Sequence, residues 1–308
     1  MAKTSKQEGA TMITVIVNPV AGSGFALTVG QKVDAILTSR GIEHNIYYTE
    51  SVGHATLLAR EAAQRGVATV LAVGGDGTLS ETAAGLVGTQ TALGVIPAGT
   101  GNDFIKVIGT PKKWDEALDY VLNHPAHPLD TGIINDSFFI NVCGAGFDVM
   151  VLEYALKAKK HMRGMLPYLY GVIAAIKAFK PFEMLIEIGD ELKLKGKYML
   201  CSIANGQYIG GGIPIMPRAL VDDGYLDVLV VDTVPAWRIP FYLPALLGGT
   251  LLKTKIAHHY RTPHCRLTSH NMRLNLDGEI VPMETAHFEC RPASLLAHWA
   301  GSPALAQE

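Results

Sequence analysis

Cysteine is scarce in this 308-residue chain, and its four copies, Cys143, Cys201, Cys265 and Cys290, form no C-x-x-C pair. That argues against a zinc ribbon or a disulfide framework, and a reducing cytoplasm is the expected compartment. An excess of one charge is also missing. A formal net charge of −2 leaves no surplus of Lys and Arg to neutralise a phosphate backbone, so no nucleic-acid partner is expected. The longest apolar stretch, IPFYLPALLGGTLL at 239–252, is broken by Pro240, Pro244 and a Gly pair. It is too short for a span, and no transmembrane helix is expected. Near the N-terminus only a six-residue apolar run, MITVIV, precedes Asn18-Pro19, which reads as a first strand and not as a signal peptide. Neither G-x-x-x-x-G-K-[ST] nor G-x-G-x-x-G occurs. This removes a P-loop enzyme and disfavours a standard dinucleotide fold. No internal repeat or low-complexity linker is visible.

What is present suits two domains. Over the first 125 residues, MITVIV (12–17), NIYYT (45–49), ATVLAV (68–73) and ALGVIP (92–97) read as strands. Helical spacing runs from Phe25 to Leu37 and over 54–66. Strands this apolar, separated by amphipathic helices, imply a parallel sheet covered on both faces. After LNHPAHPLD (122–130) the style changes. A hairpin turning at Asn135-Asp136 is followed by helices near 149–161 and 165–179, then by alternating strands from Phe182 onward. The expected fold is therefore an α/β nucleotide-binding domain over 1–128, joined by the C-terminal segment 294–308. A mainly antiparallel β-sandwich, the substrate domain, covers 129–293.

The stretch AVGGDGTLSETAAGL (72–86) runs a strand through Gly74-Gly75-Asp76-Gly77-Thr78 straight into a helix. Glycines there let backbone N–H groups approach an anion, and the helix N-terminus favours negative charge. Thr78 with Glu81 has the spacing of a capping box. VNPVAGSG (17–24) and IPAGTGNDF (96–104) follow two other strands and are equally rich in small residues. Three such loops at the carboxyl ends of parallel strands point to a phosphate or nucleotide site. LVDDGYLD (220–227) sets a carboxylate in a Gly-containing turn, which suits either Mg²⁺ or an ordinary hairpin. LNLDGEI (274–280) carries the same ambiguity, and GGGIP (210–214) fits close substrate approach or a sheet bulge.

GGDGT (74–78), PAGTGNDF (97–104), PRALVDDGYLDV (217–228) and LDGE (276–279) together resemble the bacterial diacylglycerol kinase and related lipid kinase family, kin to sphingosine and ceramide kinases. GGDGT alone is shared with NAD kinases and more loosely with 6-phosphofructokinases. The resemblance implies an ATP-dependent transfer of the γ-phosphoryl group to a lipid hydroxyl, with diacylglycerol the leading acceptor. It implies nucleotide contacts at Asn18, Pro19, Val20, Ala21, Gly22, Thr49, Gly74, Gly75, Asp76, Gly77, Thr78, Leu79, Ser80 and Thr100, in a cleft between the domains. Many relatives carry Asn where this chain has Ser80. It further implies a structural Mg²⁺ held by Asp223 and the main chains of Leu220 and Tyr225. Asp277 and Glu279 would serve the reaction together with Asp76, Glu279 taking the proton of the lipid hydroxyl and Asp277 orienting it or contacting a metal. An NAD kinase-like enzyme and a non-catalytic lipid or nucleotide sensor are the competing readings. PAGTGNDF and LDGE fit the first poorly, and intact Asp76, Asp277 and Glu279 oppose the second.

The expected partner is a lipid substrate in a membrane, reached by reversible peripheral contact from the cytoplasm; a homodimer stays open. Lys157, Lys159, Lys160, His161 and Arg163 end a helical segment. They read as a solvated helix end or as a basic cluster drawn to anionic headgroups. His258, His259 and His264 are not expected to bind a metal, because adjacent strand residues point to opposite faces.

Overall fold

A computed structural model of the protein describes residues 12–158, 162 and 166–301. The chain forms two compact units. The first holds the chain up to Thr100 with Thr110–His127 and Leu295–Trp299, and the second holds Gly101–Gly109 and Pro128–Ser294.

In the first unit β1 (Ile13–Val17), β2 (His44–Tyr48), β3 (Thr69–Gly74) and β4 (Ala92–Pro97) form a parallel sheet in the order β2-β1-β3-β4. Every residue of β1, β3 and β4 is buried, which is why these strands are continuous apolar runs rather than alternating ones. Edge strand β2 is half exposed. Helix α1 (Phe25–Ser39) turns Ala26, Val29, Val33 and Leu37 onto Val15, Val17, Leu71, Val73 and Ile96. Helices α2 (His54–Gln64) and α3 (Asp76–Leu86) pack on each other. The short α4 (Phe104–Val107) lies in the second unit, whereas α5 (Trp114–Asn123) adds Ala117, Leu118 and Val121 to the first core.

The second unit is built from β5 (Ala126–Ile134), β6 (Ser137–Phe139), β7 (Val142–Gly146), β8 (Phe182–Ile188) and β9 (Leu192–Ala204). It continues with the small hairpin of β10 (Tyr208–Ile209) and β11 (Ile213–Pro214), then β12 (Leu226–Asp232), β13 (Ala257–Thr262) and β14 (His264–Thr268). β15 (Arg273–Leu276), β16 (Glu279–Pro282) and β17 (Thr285–His298) close the chain. Helices α6 (Phe147–Ala158), α7 (Leu166–Ala178) and α8 (Ile239–Leu247) cover one side. Antiparallel pairing runs β16-β15-β7-β9-β8-β14-β17, with β12 joining β9 to β13. Strand β12 shows why this sheet holds. Leu226, Val228 and Val230 enter the core between strands, while Leu229 and Val231 enter the core under α6, α7 and α8. Two covered faces require apolar side chains at successive positions.

Strand β17 is fourteen residues long and runs into the C-terminal segment that the sequence assigns to the first domain. Its end joins the first unit, where Ala297 pairs in parallel with Leu93 of β4. Asn135 and Asp136 form the expected two-residue turn, since Ile134 pairs with Ser137. All four cysteines are free and buried. Burial pushes the Cys265 and Cys290 thiols up to about 12.

Candidate active site

Three loops leave the carboxyl ends of the adjacent strands β1, β3 and β4 in the first unit. Asn18 ties two of them together: its Nδ2 donates to Thr78 Oγ1 at 3.1 Å, and its backbone N–H donates to Val73 O at 3.1 Å. Its Oδ1 accepts from Val20 N at 3.2 Å. Past Pro19 and Val20, the chain makes a 3-10 turn at Ala21–Gly24 in which Gly22 (φ 58°) and Ser23 (φ 58°) are left-handed. Gly22 cannot carry a side chain, because a Cβ there would sit 2.2 Å from Ala98 O. The third loop closes on the second, with Ala98 N donating to Gly74 O at 2.8 Å. Thr49 stands at the same edge, its N–H on Val17 O at 2.9 Å. Thr100 is the last residue of this unit before the chain enters the second.

Helix α3 begins at Asp76 after Gly75, and no side chain caps it. This corrects the capping-box expectation. Thr78 lies inside the first turn, buried and held by Asn18, and Glu81 Oε2 instead accepts from Ala55 N at 3.2 Å. Leu79 is buried, and Ser80 follows it on the helix. The first four N–H groups of a helix have no partner within it. Gly77 is the informative residue here. A Cβ on it would meet nothing within 4 Å, so packing within the chain does not call for glycine in a helix that glycine weakens.

The LDGE segment of the second unit is a tight hairpin. Leu276 pairs with Glu279, and the two turn residues Asp277 (φ 46°) and Gly278 (φ 99°) both have positive φ. The two carboxylates therefore do not share a strand face. Asp277 reaches back to the loop before β7 and accepts three backbone N–H groups, from Ile140 (2.9 Å), Asn141 (3.1 Å) and Val142 (3.2 Å). Glu279 is exposed. Beneath the turn, Asn275 Oδ1 accepts from Gly278 N at 2.9 Å, while Asn275 Nδ2 faces Asp148 Oδ2 at 3.4 Å. Burial pushes the Asp148 carboxyl up to about 6, against hydrogen bonds from Val149 and Asn275 that pull it down. Its Oδ1 is buried without a hydrogen-bond partner. Nothing in the sequence marked Asp148 except an acid at the start of an apolar helix.

At the second turn, Asp223 accepts from Tyr225 N at 3.1 Å and pairs with Arg261. Burial raises its pKa first of all, and the neighbouring Asp227 and Asp130 raise it further. Asp227 is buried, with Oδ1 on His259 Nε2 at 2.5 Å and Oδ2 without a partner. Asp130 accepts from Gly224 N at 2.6 Å and Ala293 N at 2.8 Å. Leu220 and Tyr225 are both 43% exposed. Among the described residues no three His, Cys, Asp or Glu side chains group as metal ligands. The Asp130 and Asp227 carboxylates lie close enough to raise the Asp223 pKa, and the orphaned Asp227 Oδ2 leaves an oxygen of the kind that Mg²⁺ takes. Asp130 was missed; its signal is a lone acid in the otherwise uncharged run PLDTGII.

Asp103 organises a third cluster. Its Oδ2 accepts from Gly211 N at 2.8 Å, and its Oδ1 pairs with Lys106 Nζ at 2.7 Å. The Gly210–Gly212 stretch is thus the loop of the β10–β11 hairpin, anchored on the NDF segment. His258 and His259 divide between Asp232 and Asp227 as hydrogen-bond partners. Of the basic cluster, Lys157 is exposed on α6; Lys159, Lys160, His161 and Arg163 lie outside the described residues.

Residues 12–134 match the diacylglycerol kinase catalytic domain, and residues 141–297 match the YegS C-terminal NAD kinase beta sandwich-like domain. The chain is 33% identical over 279 residues to a "Probable lipid kinase YegS-like" of Xanthomonas euvesicatoria pv. vesicatoria (strain 85-10), which covers 86% of this chain and 89% of that protein. It is 30% identical over 279 residues to the diacylglycerol kinase of Bacillus subtilis (strain 168), covering 89% of this chain and 91% of that one. The crystal structure of a diacylglycerol kinase from Bacillus anthracis str. Sterne shares the fold, with a TM-score of 0.72 at 23% identity over 96% of this chain and 98% of that chain. The α/β unit with its parallel sheet and the β-sandwich-like unit are the fold class expected from the sequence. Matched in both halves, the chain belongs to the family of diacylglycerol kinases and YegS-like lipid kinases, and it is a kinase.

Proposed function

We propose that this kinase moves the γ-phosphoryl group of ATP to the free hydroxyl of diacylglycerol, yielding phosphatidic acid and ADP. The lipid oxygen attacks the γ-phosphorus as the bond to the β-phosphate oxygen breaks, and the hydroxyl proton passes to Glu279. Asn18 to Gly22, Thr49, Gly74 to Ser80 and Thr100 take the nucleotide. Backbone N–H groups of the three loops and of the first turn of α3 offset phosphate charge, and Asp76 orients that turn. Phosphoryl transfer is mostly positioning and charge neutralisation, so a pre-formed cradle and one base are the parts required. Asp223 with the Leu220 and Tyr225 carbonyls would hold Mg²⁺, which would supply positive charge at this turn. The protein meets its lipid by reversible peripheral contact with the membrane.

The observation that carries the assignment of the base is the unequal setting of the two hairpin carboxylates. Asp277 is committed to three backbone N–H groups, whereas Glu279 is exposed one residue beyond the turn. A group that is fixed orients; a group that is accessible can accept a proton. Purified protein with labelled ATP should be offered diacylglycerol, monoacylglycerol, phosphatidylglycerol, ceramide and sphingosine, and diacylglycerol should be the best acceptor. Glu279→Gln should keep ATP binding and thermal stability while kcat drops by roughly 10²–10⁴. Asp277→Asn should lower stability by about 1–3 kcal/mol, because it weakens acceptance of buried backbone donors. Normal turnover by Glu279→Gln alongside a folded but inactive Asp277→Asn would exchange the two roles.

A further inference from the structure

Helix α8 has no charged residue along Ile239–Leu247. Its inner side is accounted for: Ile239, Tyr242 and Leu246 enter the core shared with α6 and α7. Its outer side is not. Pro240, Phe241, Pro244 and Leu247 face outward at helical spacing, Phe241 being 75% and Leu247 61% exposed. Trp237, in the 3-10 turn leading into α8, is 65% exposed and meets Phe241 edge-on at 6.4 Å. That turn packs on α7, whose own exposed residues Leu166, Leu169, Tyr170 and Ile173 form a second stripe. An ordinary surface helix is polar on the side away from the core. Single exposed apolar residues need no explanation, but two neighbouring apolar stripes mark an interaction surface.

Charge identifies the occupant. No Asp or Glu stands between Glu153 and Glu183, or between Asp232 and Asp277. Five basic residues of these segments flank the stripes along the chain: Lys177 and Lys180 at the end of α7, Arg238 at the start of α8, and Lys253 and Lys255 beyond it, all exposed. The Arg238 guanidinium sits 4.9 Å from the Trp237 ring centre. A second copy docking through the same face would bring one cation-edged rim against another, with no Asp or Glu of these segments to pair them. An apolar face edged by cations and carrying Trp and Tyr matches the boundary between acyl chains and anionic headgroups. At 1.5 Å per residue, the 13-residue α7 and the 9-residue α8 span about 20 Å and about 14 Å, short of the roughly 30 Å hydrocarbon core. They would lie in the interface and not cross it.

We propose that the outer face of α7 and α8, led by Trp237 and Phe241, is the surface by which the second unit inserts into bilayers containing anionic lipid. This rests on the reading that the substrate is a membrane lipid. The test uses the full-length protein and large unilamellar vesicles of phosphatidylcholine with phosphatidylglycerol, without ATP. The parent should co-sediment, and the double variant Trp237→Ser, Phe241→Ser should bind at least tenfold more weakly. Vesicles should shift the tryptophan emission of the parent to the blue. Trp237→Phe should lose that shift yet still co-sediment, which keeps the test independent of any folding defect in the double variant. Undiminished binding by a folded double variant, or a blue shift that survives Trp237→Phe, would overturn the proposal. So would a double variant that only converts a dimer to a monomer in sedimentation velocity, since the face would then serve a second copy. Turnover separates this from the diacylglycerol assignment. The double variant should match the parent on a monomeric short-chain diacylglycerol and fall at least tenfold on vesicle-borne substrate. Vesicle binding through this face with no turnover of diacylglycerol would sink the acceptor assignment alone.

Discussion

Asp148 and Glu279 meet the same hairpin in opposite settings, one acid buried beneath it and the other exposed on it. Asp148 lies under the turn, two hydrogen-bond links away through Asn275, and its carboxyl is held up at about 6 by burial. An acid whose folded pKa exceeds its unfolded value of about 3.8 stabilises the fold most below that unfolded value. The contribution is lost as pH rises through 6. At about 1.4 kcal/mol per pKa unit, the loss by neutral pH is about 3 kcal/mol. Asp148→Asn, which stays neutral throughout, should therefore gain stability over the parent between pH 4 and pH 7. Thermal melts across that range check it; a constant difference at both ends would mean that Asp148 is ionised in the folded protein from the start.

Among the elements, the first turn of α3 and the 3-10 turn after β1 contain glycines with opposite demands. Gly22 is forced by the fold, with φ 58° and Ala98 O where a Cβ would be. Gly77 has open space around it. Gly22→Ala should thus destabilise the first unit by about 1–3 kcal/mol, the cost of a strained backbone position. Gly77→Ala should leave stability unchanged or raise it by up to about 1 kcal/mol. It should also weaken ATP binding at least tenfold by filling space meant for phosphate. Calorimetric titration with a non-hydrolysable ATP analogue distinguishes these outcomes. Unaltered affinity in Gly77→Ala would reduce the glycine to a helix-entry residue.

For the whole molecule, ligand linkage is the most direct probe of the two units. A ligand that binds only the native state stabilises it by RT ln(1 + [L]/Kd). Mg²⁺ without nucleotide should raise the melting temperature of the parent, and Asp223→Ala should abolish that rise. The same variant also removes one of the two carboxylate partners of Arg261, leaving Asp227 at 3.9 Å, so the readout is the Mg²⁺-dependent increment and not the absolute Tm. An equal increment in parent and variant would remove Mg²⁺ from this turn. Charge distribution matters more than the net −2: the acid-free stretches that flank α7 and α8 are offset by acids elsewhere in the chain.

Much of the fold was legible before any coordinates. Parallel strands buried on both faces must be uninterrupted apolar runs, so MITVIV, ATVLAV and ALGVIP declared themselves, and the glycine-rich loops after them could sit only at their carboxyl ends. Local chemistry also announced the Asn135-Asp136 turn. Other features depended on partners distant in sequence. Capping-box spacing at Thr78 and Glu81 was overridden because Asn18 and Ala55, brought close by the fold, offered those side chains better partners. An Asp-Gly pair reads as a hairpin in any context. That Asp277 clamps the loop before β7 follows from β15 pairing with β7, more than 120 residues earlier in the chain. Likewise IPFYLPALL is merely apolar as a string. Packing alone determines that Ile239, Tyr242 and Leu246 are consumed by the core while Phe241 and Leu247 are left facing out. Periodicity and turn chemistry act over a few residues and can be read from the chain; which side chain answers which buried donor is settled only when distant segments meet.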